Sequence, residues 1–122
     1  MKPRKNKKEF RLRRQADIRR VLSRGRRAIG QGVTLYALPN EMGFARSAVA
    51  VSKRHGGAVR RNRIKRICRE AFRAIAGEIP TGWDYLLMPR VGTRAELAEL
   101  IPSLRSLAMK LTGRSRAREG AS

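Results

Sequence analysis

The segment from Ala58 to Arg73 constrains this chain most, because its apolar and basic side chains, with Ile75 just beyond, sort onto opposite sides of a helix at about 100° per residue. Ile64, Ile67, Cys68, Ala71 and Ile75 gather on one side, and Asn62, Lys65, Arg66, Arg69 and Arg73 on the other. The first set predicts a helix seated on a core. The second predicts a surface that repels itself, since Glu70 is the only acid between Ala58 and Arg73 and ordinary solvated helices interleave both signs of charge. A polyanion that neutralises this face is the implied partner.

The rest of the composition points the same way. Among 122 residues, 30 are Lys or Arg and 9 are Asp or Glu, a formal charge of +21, far beyond what solubility requires. Nucleic acid is the first candidate. A basic membrane-surface protein is the rival, but the positive charge runs from Lys2 to Arg118 and no apolar run approaches the ~20 residues that span a bilayer. The first residues are basic and lack the apolar centre of a signal peptide, so a cytoplasmic location is expected. One cysteine excludes an internal disulfide, and one histidine, His55, offers no metal-ligand spacing. A hydrophobic fraction of 41% suffices for one core once charge repulsion is relieved, which ties folding to bound anions.

Along the chain, residues 1–10 read as a mobile basic arm, 11–111 as the folded domain and 112–122 as a basic disordered tail. Ile18, Val21 and Leu22 predict a short first helix stopped at Gly25, followed by a loop over 26–32. The run from Val33 to Leu38 predicts a strand ended by Pro39, and Ser47 to Ser52 a returning strand paired antiparallel with it. The basic helix follows a Gly56-Gly57 pair and ends near Ala76, with Gly77 as its cap. Trp83 to Met88 predicts a third strand. Thr93 and Glu96 suggest a capping box for a last helix carrying Leu97, Leu100, Ile101, Leu104, Leu107 and Leu111, with Pro102 expected to kink or restart it. The order of elements gives an α+β sandwich with helices on one sheet.

The motifs then converge on a family. Val51-Ser52-Lys53-Arg54 before Gly56, Ala58-Val59, Arg61-Asn62-Arg63-Ile64-Lys65-Arg66 and Arg69-Glu70-Ala71-Phe72-Arg73 resemble the protein component of bacterial ribonuclease P. Arg11-Leu12, Asp17 and Gly25 resemble the family's first helix, and Leu35-Tyr36 its first strand. The resemblance implies a small mixed four-stranded sheet with three helices and an unusual left-handed βαβ crossover; the fourth strand is supplied by the family and not by the pattern. It implies the accessory subunit of an RNA enzyme that removes the 5′ leader of precursor tRNA. Its partners would be ribonuclease P RNA and the leader, with no obligate protein partner. The Mg²⁺ ions would be held mainly by the RNA, and the isolated protein would be inactive.

On that resemblance Arg61, Asn62, Arg63, Lys65, Arg66 and Arg69 face the catalytic RNA, where guanidinium forks suit phosphate oxygens. Asn62 has a second reading as a local helix cap. Ile18, Leu22, Tyr36, Ser52, Lys53 and Arg73 would form the leader cleft, with Tyr36 able to stack on a base. Ile18 and Leu22 replace aromatic residues common in the family, and core packing is the rival reading for both and for Tyr36. Cys68 reads as a small buried hydrophobe, His55 as a surface loop residue, and Trp83 and Tyr85 as core. A general RNA-binding protein of ribosomal or chaperone type shares the charge and fold class. A self-sufficient protein nuclease does not fit, because no two carboxylates converge in a motif.

Overall fold

The computed structural model describes residues 11–92 and 96–113. Three helices, α1 (Gln15–Arg24), α2 (Ala58–Ile75) and α3 (Leu97–Leu111), accompany four strands, β1 (Arg26–Ile29), β2 (Val33–Pro39), β3 (Arg46–Val49) and β4 (Trp83–Pro89). The strands form one mixed sheet in the order β1-β2-β4-β3.

The most continuously buried strand takes an inner place. Asp84 to Leu87 of β4 are buried on both faces, which suits an inner position, and β4 pairs antiparallel with β2 and parallel with β3. The antiparallel pair expected between β2 and the returning strand therefore does not form, because β4 lies between them. The returning strand is also shorter, Arg46–Val49 instead of 47–52, and occupies the sheet edge.

Residues 26–29 correct the expected loop. They are β1, paired antiparallel with β2 from Arg26 opposite Ala37 to Ile29 opposite Thr34. Only Ala28 of this strand is buried, so two arginines and one core residue left no periodic signal to read. The turn into β2 closes with the Gly30 N–H donating to the Val33 carbonyl at 2.8 Å, with Gly32 at φ 77°.

Two cores flank the sheet. On one face Leu35, Ala37, Tyr85 and Leu87 meet Ile64, Cys68, Ala71, Phe72 and Ile75 of α2 and Leu104, Leu107 and Ala108 of α3. The other face carries a smaller cluster of Leu12, Val21 and Leu86, bordered by Ile18, Tyr36, Leu38, Ala48, Ala50 and Met88. The helices thus cover both faces. The parallel pair β3 and β4 is joined through α2, the crossover that the family resemblance makes left-handed.

Local details refine the sequence reading. Gly25 follows α1 in extended backbone, φ −74°, and is needed for space: a Cβ there would stand 2.5 Å from the Val21 carbonyl oxygen and 3.0 Å from that of Ala37. Gly77 is not the αL cap expected for α2, whose C-cap is Ala76 in right-handed geometry. Pro102 lies within α3, which continues through it as one helix. Thr93 of the expected capping box, the arm over 1–10 and the tail beyond 113 lie outside the described residues. Among the described residues no helix is long and apolar enough to cross a membrane.

Candidate nucleic-acid interface

The two sides of α2 separate as its sequence dictates. Ile64, Cys68, Ala71, Phe72 and Ile75 are buried, while Asn62, Arg63, Arg66, Arg69 and Arg73 are exposed and Arg61 and Lys65 half-buried. Among the described residues none of these six cations is ion-paired. Arg61 instead donates from Nε to the Gly56 carbonyl at 3.1 Å, holding the glycine turn against the helix. Burial first, and the charge of Arg11 second, push the Arg69 guanidinium below its ordinary value. Arg11 bridges to Ser47 beside β3, so the α2 cations continue onto the sheet edge. Asn62 does not cap α2, because Gly57 is the N-cap and Asn62 lies past the first turn.

Burial pushes the Cys68 thiol up to about 12, which confirms an inert hydrophobe in place of a reactive thiol. Val59, 86% exposed in the first turn of α2, is the least covered large apolar residue of this face.

Register defines the second surface. Arg27 pairs with Tyr36, Tyr36 with Leu86, and Leu86 with Ala48, so these four side chains form one row across all strands on the α1 face. The next row holds Ile29, Thr34 and Met88. Three strand spacings make this floor roughly 14 Å wide. Tyr36 is half-buried at its centre, available on one side and packed on the other. Ile18 is half-buried beside it, and Leu22 is 40% exposed, so neither is simple core. Arg27 and Ile29 belong to this floor and were missed because their strand read as a loop.

Ser52 and Lys53 lie where the chain leaves β3 for α2. The Ser52 hydroxyl accepts from the Arg54 N–H at 3.3 Å and caps a short 3₁₀ turn, Lys53–His55. His55 corrects its surface assignment: it is buried, and its Nε2–H donates to the Pro89 carbonyl at 3.0 Å, fixing the turn to the end of β4. The structure does not bring Arg73 to the Tyr36 floor, since α2 packs on the opposite face of the sheet.

A buried ionic network sets α1 on the sheet. Arg46 donates from Nε and Nη2 to the two oxygens of Asp84 at 2.8 and 2.7 Å, and Asn40 Nδ2 donates to Asp84 Oδ1 at 2.8 Å. Arg46 Nη1 also stands 3.6 Å from Asp17 of α1. The hydrogen bond to Asp84 raises the Arg46 guanidinium above its ordinary value against the cost of burial. No group of His, Cys, Asp and Glu suited to a metal ion occurs among the described residues.

Known proteins resemble this chain in both sequence and fold. The Ribonuclease P family profile matches residues 6–112. A ribonuclease P protein component from Roseiflexus castenholzii is 38% identical over 115 residues, covering 94% of this chain and 93% of its own. The solved ribonuclease P protein of Thermotoga maritima superposes with a TM-score of 0.75 at 28% identity, covering 82% of this chain and 96% of its own. That of Staphylococcus aureus gives 0.71 at 28% identity, with 80% and 91% covered.

Proposed function

Because the chain belongs to the ribonuclease P protein family, a component of the endoribonuclease of tRNA maturation, we propose that its two surfaces divide the work between two RNAs. The unpaired cations of α2 (Arg61, Arg63, Lys65, Arg66 and Arg69, with Asn62 among them) bind the phosphates of the catalytic RNA. The floor centred on Tyr36 receives the single-stranded 5′ leader of the precursor. The observation that carries this reading is the placement of the unpaired α2 face and the Tyr36 row on opposite faces of one sheet.

On the leader floor the Tyr36 ring stacks on a base, and Ile18 and Leu22 supply apolar contact without the π stacking that contributes ~1–3 kcal/mol per base. Arg27 and Lys53 meet phosphates at its two ends, and the Ser52 hydroxyl adds a short hydrogen bond. Arg73 belongs with the α2 face by its position on that helix. The cleavage chemistry resides in the RNA. Mg²⁺ supplies charge stabilisation and an activated water there, and the donor set of this interface, guanidinium and ammonium groups, does not fit a protein-held Mg²⁺. The protein instead lowers the Mg²⁺ requirement by placing cations near clustered phosphates.

The test is a comparison of two variants. Arg66→Glu with Arg69→Glu should weaken binding to ribonuclease P RNA by two orders of magnitude or so at moderate salt, while Tyr36→Ala spares that binding and reduces preference for leader-bearing precursor over mature tRNA. Equal losses in both assays from both variants would show that the surfaces are not separate.

A further inference from the structure

The basic surface does not end at α2. Leu12 donates its N–H to the Ser47 carbonyl at 2.8 Å, holding residues 11 and 12 along the free edge of β3, and Arg11 in that segment is the cation that influences Arg69 of α2. Two residues further on, Arg14 is the N-cap of α1 and offers no side-chain bond to that helix. From there Arg14, Arg20 and Arg24 line a cavity of about 730 Å³ that α1 forms with the β2–β3 loop around Pro39 to Met42.

This groove is distinct from the leader floor. On α1, Arg20 and Arg24 occupy one flank and Ile18 and Leu22 the other, with Val21 pointing to the sheet between them. The two flanks therefore open on opposite sides of the helix. Within the groove Asp17 is shared between Arg20 at 3.2 Å and Arg46 at 3.6 Å, and Arg46 is further bound by Asp84. Glu41 also lines it. Arg14 and Arg24 have no carboxylate partner among the described residues. The chemistry is that of a phosphate-binding wall.

We propose that this groove is a second foothold for the phosphate backbone of the catalytic RNA, reached from the α2 face around the β3 edge through Arg11. The proposal rests on the reading of α2 as the RNA-facing helix. A strand that follows this track grips the domain on both sides of β3 and fixes α1, hence one wall of the leader floor, in the assembled enzyme. Catalytic RNA is favoured over upstream leader because the cation track is continuous with α2, whereas α1 stands between the groove and the floor.

The experiment uses the full chain and ribonuclease P RNA from the same source, with affinity measured across a salt series. Arg14→Ala with Arg24→Ala should weaken RNA binding roughly tenfold and make the log–log salt dependence shallower by about 1.5, the loss of two phosphate contacts. Arg14→Lys with Arg24→Lys should restore the slope, and circular dichroism should show both variants folded. The control is Arg66→Ala with Arg69→Ala. Unchanged affinity and slope in the α1 variant, alongside weakened binding by the control, overturns the second foothold alone. A loss confined to precursors with long leaders also overturns it and assigns the groove to upstream leader. Wild-type binding by the control overturns the reading of α2, and this proposal with it.

Discussion

Removing the Arg46 side chain while Asp84 remains is a severe single perturbation away from the α2 face and the Tyr36 floor. Asp84 is 3% exposed and accepts three hydrogen bonds, two from Arg46 and one from Asn40. In Arg46→Met the aliphatic volume is largely kept, but a buried carboxylate retains only the Asn40 amide. Breaking a buried pair in this way costs about 3–5 kcal/mol, because the remaining charge has lost its partner in a medium that solvates it poorly. For a domain near one hundred residues each kcal/mol moves the melting midpoint by roughly 4–8 °C, so a fall of about 12–40 °C is expected. Thermal unfolding followed by circular dichroism at neutral pH, with phosphate present to screen the chain's charge, reads this directly. Removing both partners, Arg46→Met with Asp84→Leu, should recover a large part of the loss, since no unpaired charge remains. A single variant within about 1 kcal/mol of the parent, or a double variant less stable than the single, would refute the argument.

Other expectations follow from individual positions. Gly25→Ala should destabilise the fold by about 1–3 kcal/mol in urea titration, since its Cβ would meet the backbone oxygens of Val21 and Ala37 at 2.5 and 3.0 Å. Cys68 ionises at about 12 when folded against an ordinary 9.0, so folding favours the neutral thiol. Its contribution is complete below pH 9 and is lost at about 1.4 kcal/mol per pH unit as pH rises toward 12; alkylation of Cys68 near pH 8 should accordingly track unfolding. Tyr36→Phe should keep leader discrimination within about twofold, whereas Tyr36→Ala should reduce it about five- to thirty-fold in competition between precursor and mature tRNA. If about six phosphates are neutralised, affinity for ribonuclease P RNA should fall roughly a thousandfold between about 50 and 200 mM salt, and a nearly flat dependence would contradict the electrostatic account.

Most of the α2 face was legible because a helix imposes its period on sequence: core and basic residues alternate at a spacing that no other element shares, and burial follows it residue by residue. β2 and β4 were legible for a related reason, one through alternation and the other through its continuous apolar run. β1 was not. Arg26, Arg27 and Ile29 face outward, so only Ala28 reports burial, and pairing with β2 decides the conformation where propensity is silent. The pairing partner of β3 was misread because sequence neighbours usually pair, and nothing local reveals that β4, arriving more than thirty residues later, takes the place between β2 and β3. The same gap hid Arg27 and Ile29 from the Tyr36 floor, which exists only once the register is known. His55 was misassigned because two glycines beside it suggest an open loop, while its burial depends on the distant Pro89 carbonyl. The continuation of basic charge from α2 to α1 likewise appears only when residues 11 and 12 are laid along β3.

The account stands most directly on one assay: cleavage of a leader-bearing precursor tRNA by ribonuclease P RNA from the same source, at low Mg²⁺, with and without this protein. The predicted result is cleavage at the mature 5′ junction that depends on the protein at low Mg²⁺ and less so at high Mg²⁺, with no cleavage by the protein alone. Tight binding of the RNA without any gain in cleavage, or cleavage by the protein in the absence of that RNA, would contradict it.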